Sequence, residues 1–237
     1  MKRDIFVETN QVTALRDAVS TALEAGEGYP AMVMAYGEAG TGKTRAARSL
    51  YSEHLGFYVR VMEGMTQAGF LQEVCLEVTG SRPNESMRCK SAIISSLRSE
   101  PAPLFIDEAD RLHVSRMEDL RDIHDATGSP VILIGEMGLP TRVNARSRIN
   151  DRIPDAFRVL FGEISRADVH MYAAKAAGLN LSLEAGQAVL EATKGNFRRV
   201  HNAILSIEGA ARAKGTSEID VELARAALGG SQRRRLG

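Results

Sequence analysis

Three observations predict an α/β fold with a five-stranded parallel sheet flanked by helices and a small C-terminal helical domain. Five short apolar runs alternate with helix-length segments, the first run leads directly into a glycine-rich loop, and beyond Glu163 the pattern is helical only. In chain order, Val12, Leu15, Val19, Ala22 and Leu23 recur at helical spacing over residues 11–26, with Thr9 or Asn10 as cap. Residues 31–36 (AMVMAY) form the first strand, and residues 44–55 the helix after its loop. The other strands are 57–62, 103–106, 131–135 and 159–161. In the C-terminal part, Ser165 and Asp168 have the spacing of a capping box and Ser182 opens a second helix. Residues 196–213 form a third, and Asp220 caps a fourth that ends near Leu228. The expected organisation is an α/β domain over 1–163, a helical domain over 164–229 and a flexible basic tail over 230–237, which carries Arg233, Arg234 and Arg235.

At 237 residues with 44% hydrophobic and 25% charged residues, the chain has the composition of a globular protein with a substantial core. Its charge-free stretches reach only ten residues, so no membrane span is expected, and the basic start MKRD is not followed by the apolar run of a secretory signal. A cytoplasmic protein is the reading. Cys75 and Cys89, the only cysteines, and five scattered histidines have no zinc-site or disulfide-framework spacing, so isolated roles are expected for all of them. The net charge of zero conceals an asymmetry: residues 1–140 carry 14 basic and 20 acidic side chains, residues 141–237 carry 16 and 10. The basic half offers a footprint for nucleic acid, and the opposed signs equally suit head-to-tail contact between subunits.

The segment Gly37-Glu38-Ala39-Gly40-Thr41-Gly42-Lys43-Thr44, followed by Arg45, fits GxxxxGK[ST] in full. Such a loop wraps backbone N–H groups around phosphate oxygens, which requires glycine where φ is positive or where the anion leaves no room for a Cβ. Lys43 then reaches the β and γ phosphates, Thr44 ligates Mg²⁺, and the following helix directs its N-terminal dipole at the anion. Asp107 and Glu108 follow an apolar strand and so fall at its C-terminal end, where α/β sheets bind ligands. There Asp107 holds Mg²⁺ through water and Glu108 acts as general base toward the attacking water. The letters Asp107-Glu108-Ala109-Asp110 also spell the DEAD-box helicase signature, but that machinery needs two tandem motor domains and the chain is too short for them.

Together GEAGTGKT, LFIDEADRL and GNFRR (residues 195–199) resemble AAA+ ATPases over nearly the whole chain. The opening FVETNQV, the compact size and the basic helical part resemble most the Mu-type transposition protein B group, with TnsC and TniB. That resemblance implies an ATP- and Mg²⁺-dependent ATPase that assembles as a filament or ring on double-stranded DNA without reading its sequence. It also implies delivery of that DNA to a DDE transposase. It places the sensor-2 arginine at Arg198, which also contacts the nucleotide, and an arginine finger, supplied by a neighbouring subunit, among Arg142, Arg146, Arg148 and Arg152, with the last three favoured.

Two departures from the family pattern stand out. Glu136 occupies the sensor-1 position, commonly a neutral polar residue, and its carboxylate would repel a γ-phosphate. No helix-turn-helix module precedes the AAA+ pattern, so DNA binding is expected from the ATPase core, the helical domain or the arginine tail. Two other readings compete: a switch acting on a protein partner, as in ExeA-type ATPases, and a remodeller of the origin or clamp-loader type.

Overall fold

A computed structural model describes residues 5–26 and 28–233, with side chains through Gly229. Among these residues the chain forms α1 (Asn10–Ala25), β1 (Met32–Gly37), α2 (Lys43–Glu53), β2 (Phe57–Arg60), α3 (Gln67–Thr79), α4 (Ser86–Ser99), β3 (Leu104–Asp107), α5 (Val114–Thr127) and β4 (Val131–Gly135). Then follow α6 (Leu139–Asn144), α7 (Ser147–Asn150), β5 (Arg158–Phe161), α8 (Arg166–Ala177), β6 (Asn180–Leu181), α9 (Leu183–Thr193), α10 (Phe197–Lys214), β7 (Glu218–Ile219) and α11 (Val221–Arg233). Two compact units result: residues 10–39 and 43–161 form one, and residues 5–9, 40–42 and 162–233 the other.

The first unit is built on a five-stranded, wholly parallel sheet in the order β2-β3-β4-β1-β5. Met32, Val33, Met34 and Ala35 of β1 and all of β4 are buried, as expected for central strands covered on both faces. The register sets Arg60 beside Asp107, Tyr36 beside Gly135 and Gly37 beside Phe161, so the C-terminal ends of all five strands lie along one edge. Gly37 is required there by proximity, because a Cβ would stand 2.2 Å from the carbonyl oxygen of Phe161. One face of the sheet packs on α3, α4 and α5 through Phe70, Leu71, Val74, Ile93, Leu97, Leu120 and Ile123. The Thr66 side chain caps α3, and Gly80 and Gly128 close α3 and α5 at φ of 72° and 69°. Cys75 of α3 and Cys89 of α4 are buried, free and adjacent. The reading of them as isolated is thus corrected, since antiparallel packing of two helices brings together residues that the sequence separates by a turn. Burial, and then the neighbouring Cys75, push the Cys89 thiol up.

The second unit is helical around Val169, Tyr172, Val189, Val200, Ile204 and Ile207, and Val7 packs into it. Here the expectation of helices alone is corrected. The α8–α9 and α10–α11 connections each extend for two residues and pair in parallel, with Asn180 N–H donating to Ser217 and Ser182 N–H to Ile219. Two-residue strands carry too little periodicity to be seen in sequence. The helix α11 also runs to Arg233, past the expected end near Leu228, which shows that one Gly-Gly pair does not stop a helix already nucleated over two turns. Arg234 and Arg235 lie outside the described residues, as does the side chain of Arg233.

The cap motifs read from the sequence are present: Ser165 accepts from Asp168 N–H at 3.1 Å while Asp168 accepts from Ser165 N–H at 2.8 Å. Ser182, Asn196 and Asp220 accept from Ala185, Arg199 and Leu223 N–H groups. Asp168→Ala, which breaks the reciprocal pair, is expected to lower unfolding free energy by about 1 kcal/mol, read as a lower urea midpoint with unchanged slope.

Candidate nucleotide-binding site

The loop between β1 and α2 is short and glycine-rich for reasons visible in its backbone. Gly40 and Gly42 take φ of 84° and 106°, which L side chains rarely adopt. The loop delivers Lys43 and Thr44 to the first turn of an eleven-residue helix whose N-terminus points its unpaired N–H groups and positive dipole at the loop. Lys43 is 8% exposed, and its Nζ donates to the carbonyls of Gly37 and Glu38, both at 2.8 Å. Burial lowers its pKa, and the carboxylates of Glu136, Asp107, Asp110 and Glu108 oppose that shift. The buried ammonium is thus held by two loop carbonyls, and the charges of four carboxylates favour its protonated form.

Asp107, 2% exposed at the end of β3, receives three donors. The Glu108 N–H donates to Oδ1 at 3.0 Å, and the hydroxyls of Thr44 and Tyr58 donate to Oδ2 at 3.0 and 2.5 Å. The Tyr58 hydroxyl is pushed far above its ordinary range by burial and then by Asp107, so it remains a donor at physiological pH. The pairing of Thr44 and Asp107 fits Mg²⁺: two oxygen ligands converge, and among the described residues no group of three or more His, Cys, Asp or Glu could hold a metal alone. Mg²⁺ is characteristically bound by one or two such protein oxygens, with phosphate and water completing its shell.

Glu108 stands beside this pair with φ 59° and ψ 36°, a left-handed conformation that costs a non-glycine residue about 1–2 kcal/mol and that concentrates at functional sites. Its carboxylate is held on both oxygens, by Arg60 Nη2 on Oε1 at 3.0 Å and by Arg111 Nη2 on Oε2 at 3.3 Å. Sequence reading missed Tyr58, Arg60 and Arg111. For the first two a signal existed: they alternate along β2, so both point to one face of a strand that otherwise reads as core.

At the end of β4, Asp110 accepts from the backbone N–H of Glu136 at 2.9 Å, and a Cβ on Gly135 would meet the same oxygen at 2.5 Å. The Glu136 side chain is exposed, and among the four acids it exerts the largest charge effect on Lys43. The arginines between β4 and β5 separate clearly. Arg142 donates to the Leu112 carbonyl, and Arg152 grips Asp125 with Nε and Nη2 at 2.8 and 3.2 Å. Arg146 and Arg148 are exposed on α7 and at its cap, with no side-chain partner among the described residues. Arg198 lies in the first turn of α10, and its backbone N–H donates to the Gly40 carbonyl at 2.9 Å. Arg45 is exposed on α2.

A strand order of β2-β3-β4-β1-β5, a phosphate-binding type of loop after β1 and paired carboxylates after β3 together decide the fold. It is the AAA+ P-loop fold. The AAA domain family matches residues 27–143. A curated Staphylococcus aureus protein described as a potential ATP-binding protein is 30% identical over 129 residues, covering 51% of this chain and 47% of that protein. The chain therefore spans about half the length of the curated relative it matches. Among solved structures, the Thermotoga maritima RuvB Holliday junction branch migration motor superposes with a TM-score of 0.60 at 16% identity over 92% of this chain and 67% of that one. The Aeropyrum pernix ORC1 protein in complex with DNA gives 0.58 at 15% identity over 97% and 67%. At these identities the structures establish the fold.

Two expected outcomes follow from the geometry. Tyr58→Phe removes one of three donors to a buried carboxylate and should cost about 1 kcal/mol, read by urea unfolding without nucleotide. Glu136→Gln removes a negative charge that competes with phosphate for Lys43. Triphosphate affinity measured by calorimetry should rise roughly two- to tenfold, about 0.4–1.4 kcal/mol, whereas a weaker complex would mean that Glu136 helps to hold the ligand.

Proposed function

We propose that this chain is an ATPase, converting ATP and water to ADP and phosphate, that assembles on double-stranded DNA without sequence preference and delivers it to a DDE transposase. One observation carries the hydrolytic part: Thr44 and Asp107 share a hydrogen bond at the sheet edge, and their chain neighbours are Lys43, buried against the loop carbonyls, and Glu108, whose carboxylate two arginines hold. In this reading residues 37–44 bind the phosphates by backbone N–H groups, and Lys43 exchanges its two loop carbonyls for β and γ oxygens. Thr44 and Asp107 hold Mg²⁺, which when bound supplies neutralisation of phosphate charge. Glu108 takes the proton of the attacking water once an oxygen of its carboxylate is free of arginine.

The exposed Arg146 and Arg148 suit a finger offered to a neighbouring subunit better than Arg152, whose guanidinium is engaged by Asp125. Arg198 is the sensor-2 arginine that the family resemblance implies. In the same reading residues 1–163 are the nucleotide-binding domain, 164–229 the lid and 230–237 a basic tail. The DNA part rests on the excess of basic residues after residue 140, and on neighbours that include ORC1 in complex with DNA and a Holliday junction motor. The transposase rests on the resemblance to the transposition protein B group. No helix among the described residues is long and apolar enough to cross a membrane.

The test is electron microscopy of the Glu108→Gln variant with long duplex DNA in ATP, in ADP and without nucleotide. An amide cannot act as the base, so this variant should hold ATP and turn over at least about a hundredfold more slowly than wild type. Filaments or rings on DNA in ATP alone are expected. Bare DNA under every condition would overturn the DNA reading in favour of a switch acting on a protein partner.

A further inference from the structure

Of the two oxygens of Asp107, Oδ2 is the one that faces Thr44, whose hydroxyl donates to it at 3.0 Å. A cation carried on the Thr44 oxygen would therefore meet Oδ2 before Oδ1. The Tyr58 hydroxyl claims the same oxygen at 2.5 Å, while Oδ1 accepts from the Glu108 N–H at 3.0 Å. A carboxylate offers about four lone-pair sites, so the two on Oδ2 are both in use. Thr44 can keep its bond in a metal complex, because a hydroxyl gives its hydrogen to one acceptor and a lone pair to a cation at the same time. Tyr58 has no such double role, and its bond must be given up before Oδ2 can touch a metal ion. The surroundings hold that bond in place. Tyr58 stands on β2 in register with Phe105 of β3, and its ring is braced from α2, the helix that carries Thr44. The Arg48 guanidinium carbon lies 5.4 Å from the ring centroid, and the Tyr51 ring packs beside it at 5.5 Å.

We propose that Tyr58 determines metal specificity: by occupying Asp107 Oδ2 it confines this carboxylate to holding the ion through water, which favours Mg²⁺ over cations that shed water readily, such as Mn²⁺. The inference rests on the reading of Thr44 and Asp107 as the Mg²⁺ site. Mg²⁺ dehydrates reluctantly and keeps several waters when bound, so a carboxylate closed to direct contact suits it. A less tightly hydrated ion is denied the carboxylate bond that it would otherwise gain. Tyr58 is thus a positioning residue that acts through Asp107 and does not itself touch the ion.

The decisive experiment measures binding of Mn²⁺ and Mg²⁺ to the full chain with a non-hydrolysable ATP analogue, for wild type, Tyr58→Phe and Tyr51→Phe. Free Mn²⁺ is read by electron paramagnetic resonance, Mg²⁺ by its competition, and the water left on bound Mn²⁺ by water-proton relaxation. Tyr58→Phe should raise the ratio of Mn²⁺ to Mg²⁺ affinity roughly three- to tenfold, the size of one hydrogen bond, and bound Mn²⁺ should lose a water. Tyr51→Phe, which removes a neighbouring hydroxyl and keeps the ring, should hold the wild-type ratio. If wild type binds neither ion with the nucleotide, the Mg²⁺ reading falls and the inference with it. If wild type binds both ions and Tyr58→Phe keeps the same ratio and the same water content, the role of Tyr58 falls and the Mg²⁺ reading stands. Equal weakening of both ions in Tyr58→Phe would mark a purely structural tyrosine and overturn the proposal, as would the same change of ratio in Tyr51→Phe.

Discussion

The carboxylate of Asp107 is the point on which the site depends. A charge that is 2% exposed is tolerated only if hydrogen bonds replace the water it has lost, and three segments supply them: α2 through Thr44, β2 through Tyr58 and the turn after β3 through the Glu108 N–H. Satisfying that one group therefore fixes the phosphate loop's helix relative to two strands and orients the oxygens that are suited to a metal. It also explains why the neighbouring acid is so differently placed. Glu108 follows a backbone already committed to Asp107, turns left-handed, and lies 20% exposed between two arginines. Adjacent carboxylates thus acquire separate surroundings, one buried among hydrogen-bond donors, the other paired with two guanidinium groups.

Much of this was legible in the sequence because it rests on local rules. All five strands were visible as apolar runs, and their observed limits differ from expectation by two residues or fewer, since central parallel strands are apolar on both faces. The Lys43–Thr44 pair could be placed between the glycine loop and its helix, and the Asp107–Glu108 pair at a strand end, without coordinates. Ser165, Ser182, Asn196 and Asp220 declared helix starts by chemistry alone. What stayed hidden depends on register between elements distant in sequence. Arg60 is 48 residues from Glu108, and only the pairing of β2 with β3 brings them together. Likewise Arg152 could not be distinguished from Arg146 and Arg148 until Asp125, 27 residues away, was seen to hold it.

The position of Glu136 shows how a departure from a family pattern is absorbed. Its backbone is tied by Asp110, so the strand end keeps its geometry whatever the side chain, while the side chain itself stays exposed. The charge still reaches Lys43, where it offsets part of the cost of burying an ammonium. The same residue thus supports the lysine, and in the proposed ATP complex its charge would oppose the phosphate.

The paired thiols of α3 and α4 have a consequence of a different kind. Cys75 and Cys89 are the chain's only cysteines, both wholly enclosed, and the ionisation of Cys89 is further suppressed by its surroundings. The native surface is therefore silent toward maleimides, and a single cysteine engineered onto it becomes a unique attachment point for a fluorophore or spin label. Movements of the 62–67 loop can accordingly be followed spectroscopically without first deleting the native cysteines from the core.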